Sequence, residues 1–270
     1  MRSILFVPCV LIALSVLAAT VAPVRHMIKG NVLGLYDLSL YNRPNSELTP
    51  PVEQHLVAHA GGAFNGESYT NSREALDHSY ASGYRVFELD FDWTSDGHLV
   101  LVHDWDHTSS LFTVAPHVFS YQEFISRHRT DGLHQLAIED LRQWLHAHSD
   151  AFIVTDTKSP NPRLLNYLAQ NGRDILPQLI LQIYRLSELQ SARSLAPRAV
   201  WLTIYKCNYP AWALARITGV DAFVIPVERY GSYSRPKLLQ QRHFYVHSIS
   251  ADQIDQTFQH LPGIYGIYVN

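Results

Sequence analysis

Apolar positions in this chain form short runs separated by segments with helical spacing, the pattern of β-strands joined by α-helices. Eight runs bounded by turn residues are predicted strands: 55–60, 84–91, 151–157, 179–184, 199–204, 221–227, 243–249 and 263–269. Seven segments between them are predicted helices: 71–83, 138–149, 161–172, 186–196, 209–219, 235–242 and 251–261. This alternation is typical of a parallel sheet.

The number of strands favours a closed sheet. Eight parallel strands close a (β/α)8 TIM barrel, for which about 250 residues is the usual size. A doubly wound open sheet is the competing architecture. No eighth helix follows the last strand, and the segment around 33–41 is our candidate to cover that gap. A small insertion after the second strand, roughly 96–135, carries an extra short strand at 98–103.

Residues 3–24 contain no charged side chain and are numerous enough to cross a bilayer. Small residues at 18–22 also give the segment the form of a secretory signal peptide. Both interpretations predict export. We therefore divide the chain into a signal peptide or transmembrane anchor at 1–24, a linker or N-terminal extension at 25–52, and a barrel domain at 53–270.

Composition narrows the class of protein further. Hydrophobic residues make up 47% of the chain and charged residues 17%, which is typical of a globular domain with a sizeable core. The net charge of −3 excludes the basic footprint of a nucleic-acid-binding protein. The two cysteines are Cys9, inside the apolar segment, and Cys207, so no intrachain disulfide framework is predicted.

The stretch ELDFDWTSDGHLVLVHD, residues 88–104, carries an unusual set of acids. Glu88, Asp90 and Asp92 alternate with apolar residues, so a strand places all three on one face. Like charges in register repel one another unless a positive group lies among them. In a barrel, functional side chains lie at the C-terminal ends of strands. The polar residues near those ends are His59, Glu88, Asp90, Asp156, Lys158, Gln182, Lys206 and His247, with His103 returned to the same end by the extra strand.

Three of these acids suggest a cation site. Glu88, Asp90 and Asp156 are hard oxygen ligands without a neighbouring cysteine, which favours Mg²⁺ or Ca²⁺ over zinc. Asp92 is either a supporting residue or solvated. The alternative is a group of exposed acids at a strand end that pair with lysine or arginine.

Histidines and lysines supply the remaining candidates. His59 and His103 are the candidate acid and base, because histidine exchanges its proton near neutral pH. Lys158 and Lys206 are suited to neutralising a phosphate oxygen. Gly61 lets a ligand approach the backbone closely.

Several motifs together resemble the glycerophosphodiester phosphodiesterase family. They are HAGG at 59–62, YTNSREAL at 69–76 and FELDFDWTSDGHLVLVHD at 87–104. The family pattern is His-Arg-Gly, Glu-Asn-Thr, Glu-x-Asp, Thr-x-Asp-Gly and His-Asp, and a bacterial variant carries HAGG in the first motif. The clear match covers about fifty residues, from 57 to 106, and its specificity lies in the order of the motifs.

The resemblance implies a barrel of the PLC-like phosphodiesterase type that hydrolyses phospholipid-derived glycerophosphodiesters to glycerol phosphate and an alcohol. It implies a divalent cation, Mg²⁺ or Ca²⁺. Together with the N-terminal segment, the resemblance leads us to expect a location in the bacterial periplasm or cell envelope. The family's functional residues fall on the following positions: His59 and His103 as catalytic residues, Glu88, Asp90 and Asp156 as metal ligands, and Lys158 and Asn71 at the substrate or phosphate. Lys206 and Gly61 join the substrate or phosphate residues from the argument on the residues alone.

Two positions depart from the family pattern. Ala60 replaces the arginine of His-Arg-Gly, and Thr70 replaces the glutamate of Glu-Asn-Thr. Loss of that arginine removes a bidentate phosphate contact. A lyase-type phospholipase that releases a cyclic phosphate and a non-catalytic envelope binding module are therefore kept as alternatives. The expected partners are a small phosphodiester and, through an uncleaved N-terminal segment, a membrane; nucleic acid is not expected.

Overall fold

Short apolar runs form the strands of a closed barrel. A computed structural model describes residues 31–38, 52–205, 209–231, 233, 242–261 and 263–270. The strands within them are β1 Leu56–Ala58, β2 Val86–Trp93, β3 Leu99–Leu101, β4 Phe152–Thr157, β5 Leu179–Ile183, β6 Ala199–Thr203, β7 Ala222–Pro226, β8 Phe244–Ile249 and β9 Gly266–Val269. β1 pairs in parallel with both β2 and β9, which closes the ring. β3 lies outside the ring, antiparallel to β2.

Helices cover the outside of the ring and fill the insertion. In chain order they are α1 at 31–38, α2 Arg73–Ala81, α3 Trp105–Leu111, α4 Tyr121–Ser126, α5 Ile138–Ala147, α6 Asn161–Asn171, α7 Leu189–Ser194, α8 Ala211–Leu214, α9 Val227–Tyr230 and α10 Ile254–His260. Short 3₁₀ turns occur at His59–Gly61, Leu176–Gln178, Leu186–Glu188 and Ala251–Gln253.

Alternation along each strand creates two layers. On β2 the odd-numbered Phe87, Leu89 and Phe91 pack outward in the core cluster beneath the helices. Val86 belongs to a separate cluster inside the barrel with Val154 and other strand residues. Glu88 and Asp90 follow Val86 on the inward face, so the strand period itself directs these acids into the barrel.

The predicted (β/α)8 barrel is confirmed, and the open sheet is excluded by the pairing of β1 with β9. The predicted strand 98–103 is also confirmed, as β3. β2 continues to Trp93 because Asp92 and Trp93 pair with Val100 and Leu99 of β3.

Two predicted helices differ from the structure. The segment 186–196 divides into a 3₁₀ turn and α7. In the segment 209–219 only α8 is helical, and the N–H groups of Arg216 and Ile217 both bond to the carbonyl of Ala213 in a closing turn. β-Branched Ile217 and the following Gly219 have low helix propensity, which accounts for this early end. The predicted helix 235–242 falls almost wholly outside the described residues.

The sequence predicts that the segment 33–41 covers the gap left by the missing eighth helix. Its described part, which belongs to α1, lies elsewhere, so that expectation is wrong for this part. The carboxylate of Asp37 accepts hydrogen bonds from the backbone N–H groups of Leu186 and Ser187 and from the hydroxyl of Tyr209. The N–H groups at the start of a helical turn lack partners within the turn and attract a carboxylate. α1 is therefore fixed beside the loops that follow β5 and β6, across the barrel from β9.

Membrane crossing is untested by the fold. None of the helices that the structure describes combines the length and hydropathy of a membrane span. The apolar segment 3–24 lies outside the described residues, and its export role stays a prediction.

Candidate active site

A cavity of about 310 Å³ opens at the C-terminal ends of the barrel strands. Most of the polar residues that the sequence placed near these ends meet there, together with three tyrosines. Its lining comprises His59, Tyr69, Glu88, His103, Asp156, Lys158, Gln182, Tyr205, Val224, His247, Ser248 and Tyr268. One cavity therefore joins both candidate histidines to the carboxylates.

The carboxylates form a compact group. Glu88 and Asp90 lie on β2, Asp156 lies on β4, and the register of these strands places Asp90 opposite Asp156. Each residue offers one oxygen, and these oxygens lie within 4.8 Å of one another. Because Ca²⁺–O distances are about 2.3–2.6 Å, oxygens of a single ion lie up to about 5 Å apart. The group therefore fits one hard divalent cation.

Burial makes this group electrostatically costly. Glu88 is 3% exposed and Asp90 1% exposed, so these acids are not exposed as the alternative expected, although a lysine does pair with two of the three. Burial, followed by the charges of Asp90 and Asp156, raises the pKa of Glu88 well above 4.5. The N–H of Ala60, 2.9 Å from Glu88 Oε2, acts in the opposite direction.

Lys158 supplies a positive charge within the group. Its Nζ lies 2.7 Å from Asp156 Oδ2 and 3.1 Å from Asp90 Oδ1. Burial alone would lower the pKa of Lys158, but the carboxylates of Asp156 and Asp90 outweigh it and raise that pKa. A single ammonium group does not balance three carboxylates, so the cluster keeps an excess of negative charge suited to a cation.

Asp156 is positioned by donors from the next two strands. Its Oδ1 accepts hydrogen bonds from Gln182 Nε2 at 2.8 Å, from Tyr205 Oη at 3.3 Å and from the hydroxyl of Tyr184. The Tyr184 hydroxyl in turn accepts a hydrogen bond from the N–H of Thr157 at 2.6 Å. β5 and the start of the loop after β6 thus orient an acid of β4.

His59 and His103 face the cavity with fixed partners. His59 Nδ1 lies 2.5 Å from Asn270 Oδ1, and its Nε2 lies 3.5 Å from Glu88 Oε2. A carboxamide oxygen only accepts, so Nδ1 carries the proton and Nε2 presents its lone pair. His103 Nδ1 lies 2.8 Å from Asp104 Oδ2, so its Nε2 is similarly available. Burial lowers the pKa of His59 more than Asn270, Asp90 and Asp156 raise it.

The loop between β1 and α2 holds unusual backbone conformations beside the site. Ala60, Tyr69 and Asn71 have φ values of 49°, 59° and 46°, in the left-handed region that costs non-glycine residues about 1–2 kcal/mol each. The N–H of Asn71 bonds to the carbonyl of Ala60, which joins the two ends of the loop. The Tyr69 ring consequently packs edge-on against both His59 and His103, with centroids at 4.7 and 5.4 Å.

The structure places two of the candidate substrate residues outside the cavity lining. Asn71 lies behind Asp90 rather than in the cavity lining: its Nδ2 donates to Asp90 Oδ2 and its Oδ1 accepts from the N–H of Asp90. It therefore positions a carboxylate, and its predicted contact with phosphate stays a prediction. Gly61 is also absent from that lining, because its Cα faces Ala75 and Leu76 of α2.

Two further candidates have different outcomes. Asp92 accepts a hydrogen bond from Ser159 Oγ at 2.6 Å and is not part of the carboxylate group. Lys206 falls outside the described residues, so its predicted phosphate contact is untested.

The sequence did not single out Tyr69, Tyr205, Tyr268 or Asn270. Tyr268 lies on the inward face of β9, so strand alternation alone could have indicated it. Asn270 follows β9 and Tyr69 lies in a loop, and neither residue belongs to a periodic pattern that marks its direction.

Two buried polar atoms in the cavity have no hydrogen-bond partner among the described residues. They are His247 Nε2 and the Tyr268 hydroxyl, and the two rings lie 6.0 Å apart. Buried polar atoms are nearly always satisfied in folded proteins. These two therefore mark the wall of the cavity that is suited to a polar ligand.

We expect the free energy of unfolding of His247→Gln to fall less than that of the parent as the pH is lowered from 6.5 to 4. Burial lowers the pKa of His247 to about 4, so between pH 6.5 and 4 the unfolded chain binds more protons than the folded chain. Stability contributed by neutral His247 is present above pH 6.5 and is lost as pH falls through 4, by about 2–3 kcal/mol. Urea unfolding of the parent and of His247→Gln, both in EDTA at pH 7, 5.5 and 4, measures this difference. Free energies of unfolding that change equally with pH in the two proteins would contradict it.

Fold and site together define a class: a barrel with a divalent-cation site and paired histidines at its mouth, suited to phosphoester chemistry. The family model for the glycerophosphoryl diester phosphodiesterase family matches residues 60–247. That match spans more than half of the chain, so the chain belongs to this family and is a phosphoric diester hydrolase. No curated protein matches the sequence significantly.

Solved structures agree at the level of the fold. A glycerophosphodiester phosphodiesterase from Parabacteroides distasonis superimposes with a TM-score of 0.63 at 14% identity, over 80% of this chain and 92% of the other. A glycerophosphodiester phosphodiesterase from Thermotoga maritima superimposes with a TM-score of 0.62 at 16% identity, over 82% of this chain and 96% of the other. An Oleispira antarctica phosphodiesterase in complex with its product sn-glycerol-3-phosphate gives 0.58 at 14%, over 80% and 92%.

Proposed function

We propose that this protein hydrolyses phospholipid-derived glycerophosphodiesters to glycerol phosphate and an alcohol, with His59 and His103 as proton carriers. One observation carries the proposal: two oriented imidazoles line the same cavity as Glu88 and Asp156, two members of the carboxylate group. Family membership supplies the reaction class. The Oleispira antarctica complex with sn-glycerol-3-phosphate supplies the product to test for.

Glu88, Asp90 and Asp156 are proposed to hold the cation. Their all-carboxylate donor set suits Mg²⁺ or Ca²⁺. A divalent cation bound there supplies positive charge to a phosphoryl oxygen. Lys158, which already contacts two of these acids, lies beside the same position and adds a second positive charge.

In the proposed reaction the free hydroxyl next to the phosphate attacks phosphorus and loses its proton to one imidazole. The other imidazole gives a proton to the leaving alcohol as its P–O bond breaks, and a cyclic phosphate results. Water then opens the cyclic phosphate with the two proton transfers reversed, and glycerol phosphate is released.

Geometry suggests which histidine performs which transfer. His59 is 15% exposed, has an amide partner and presents an unprotonated Nε2 next to the carboxylate group, as a base requires. His103 is 37% exposed and has Asp104 behind Nδ1, so a second proton on its Nε2 faces the open cavity. We assign His59 as the base and His103 as the acid in the first step.

The missing arginine at Ala60 has a partial substitute. Ala60 is fully buried and uses its N–H on Glu88, so its side chain contributes nothing to the cavity. Lys158, the Tyr268 hydroxyl and His247 Nε2 are the described groups placed to bind the phosphodiester in its place.

We also propose that the protein acts outside the cytoplasm, in the periplasm or cell envelope. The supporting observation is the uncharged segment 3–24, in the form of either a cleaved signal or a retained anchor. Cleavage is read directly from the N-terminal sequence of the protein recovered from its native compartment.

The proposed function predicts cation-dependent release of glycerol phosphate. Purified protein with glycerophosphocholine or glycerophosphoethanolamine is expected to form sn-glycerol-3-phosphate, to lose that activity in EDTA and to regain it with Mg²⁺ or Ca²⁺. Enzymatic detection of sn-glycerol-3-phosphate measures the product. Turnover that persists unchanged in excess EDTA would contradict the cation site.

The alternatives give different outcomes in the same experiment. Phosphorus NMR that shows a cyclic phosphate as the final product identifies the lyase-type phospholipase. Binding of a phosphodiester without turnover, across a panel of head groups and both cations, identifies the non-catalytic module.

A further inference from the structure

α1 carries an apolar face that the barrel does not bury. Val32, Leu35 and Tyr36 are 60%, 57% and 57% exposed, and their i, i+3, i+4 spacing places them on one side of the helix. Leu33 and Asp37 lie on the other side, against the barrel. A helix on the surface of a soluble domain normally presents polar residues outward. The outward side of this helix is apolar instead.

The apolar face lies at the rim of the barrel mouth. Asp37 connects α1 to the N–H groups of Leu186 and Ser187, after β5, and to Tyr209, after β6. Both connections are at the C-terminal ends of strands, where the cavity opens. A groove of about 600 Å³ is lined by Leu33 at α1 and by Lys158 at the carboxylates. α1 therefore borders the approach to the active site.

A second exposed aromatic residue follows the loop that is bonded to this helix. Trp212 is 52% exposed and follows Tyr209, the partner of Asp37, by three residues. The guanidinium of Arg216 lies 5.7 Å from the centre of the Trp212 ring. Tryptophan and tyrosine favour the boundary between water and lipid, and arginine pairs with lipid phosphates. We call Val32, Leu35, Tyr36 and Trp212 the rim surface.

The sequence before α1 indicates what covers the rim surface. Residues 3–24 are uncharged and long enough to cross a bilayer, and only residues 25–30 separate them from α1. Even a fully extended connection of that length spans no more than about 25 Å. When the segment lies in a bilayer, the rim surface is held within reach of the same bilayer.

We propose that the rim surface docks on a phospholipid bilayer, with the barrel mouth turned toward the lipid headgroups. The inference rests on the retained-anchor form of segment 3–24 proposed above, but docking requires neither the cation nor the histidines. It assigns a contact with lipid to the exposed side chains of Val32 and Leu35. A second copy of this chain is the competing occupant.

Quenching of Trp212 by brominated lipid tests the proposal. The full chain is reconstituted in phosphatidylcholine–phosphatidylglycerol vesicles with and without bromine on the acyl chains, and its fluorescence is compared with that of Trp212→Phe. We expect bromine-dependent quenching that is absent from Trp212→Phe. In Val32→Ser/Leu35→Ser the ratio of docked to undocked protein is expected to fall about tenfold, because less apolar surface reaches lipid.

Val118→Ser/Ile125→Ser is the matched control, since these residues are 44% and 45% exposed on the insertion. Brominated lipid should quench the fluorescence of this control as much as that of the parent. Both double variants should turn over a soluble phosphodiester at the parent rate, which shows that they fold. Equal quenching in both double variants overturns the proposal. The proposal is also overturned if light scattering shows that the parent is a dimer and that Val32→Ser/Leu35→Ser is a monomer. The rim surface would then bind a second copy of the chain.

Discussion

Glu88→Gln is expected to abolish turnover and at the same time to stabilise the cation-free protein. Gln retains an oxygen for the N–H of Ala60 but removes one of three buried charges. Loss of a cation ligand is expected to lower kcat/KM by about 10³-fold, since a cation supplies several kcal/mol to the transition state. Without a cation, removing a poorly compensated buried charge is expected to add about 1–4 kcal/mol of stability.

The two effects are separated by unfolding in EDTA and in excess cation. In EDTA the variant should unfold at higher urea than the parent. Excess cation at about 100 times its dissociation constant should stabilise the parent by about 2.7 kcal/mol and the variant much less. The raised pKa of Glu88 gives the sign of its own contribution with pH: in EDTA the stability from neutral Glu88 is present below pH 4.5 and is lost as pH rises through the raised pKa, a contribution that the variant lacks.

Asp92→Asn is the matched control for this experiment. Asp92 lies on the same face of β2 as Glu88 and Asp90, but its Oδ1 binds Ser159. Turnover and cation stabilisation within about twofold of the parent are expected, the scale of an ordinary partly exposed substitution. A Glu88→Gln protein that keeps its cation-dependent stabilisation would show that the ion binds elsewhere.

The strands and the carboxylate group were predictable because both depend on local patterns. Eight apolar runs correspond to eight barrel strands, and the period of two on β2 directs Glu88 and Asp90 into the barrel. Parallel register then brings Asp156 beside Asp90 without further information. The hairpin of β2 and β3 returns His103 to the same cavity.

The residues that orient these groups were not predictable for physical reasons. Asn270 reaches His59 from a position 211 residues later, through the closure of the barrel rather than through any local spacing. Asn71 matched a motif, but the left-handed backbone at 46° turns its side chain behind Asp90 instead of into the cavity. α1 contains a buried carboxylate whose partners lie about 150 residues away, so its position followed from no pattern near it.

The assignment of base and acid predicts different leaving-group behaviour for two histidine variants. His103→Ala is expected to lower turnover of glycerophosphocholine by about 10²–10⁴-fold, because the leaving alcohol then departs without a proton. With a p-nitrophenyl phosphodiester of glycerol the leaving group is stable as its anion, so the same variant should lose less than about tenfold. His59→Ala should lose about 10²–10⁴-fold with both substrates, since the attacking hydroxyl still requires a base.

Initial rates with both substrates, at saturating cation, measure this difference. His107→Ala is the control, since His107 lies on α3 next to the same Asp104 carboxylate but is exposed and outside the cavity lining. Cation stabilisation of the folded state should persist in His103→Ala, which separates lost proton transfer from a lost ion. Equal losses in His103→Ala with both substrates would remove the acid role from His103. Rescue of His59→Ala by the p-nitrophenyl leaving group would reverse the two assignments. His59, beside Glu88, would then donate the proton to the leaving alcohol, and the more exposed His103 would be the base.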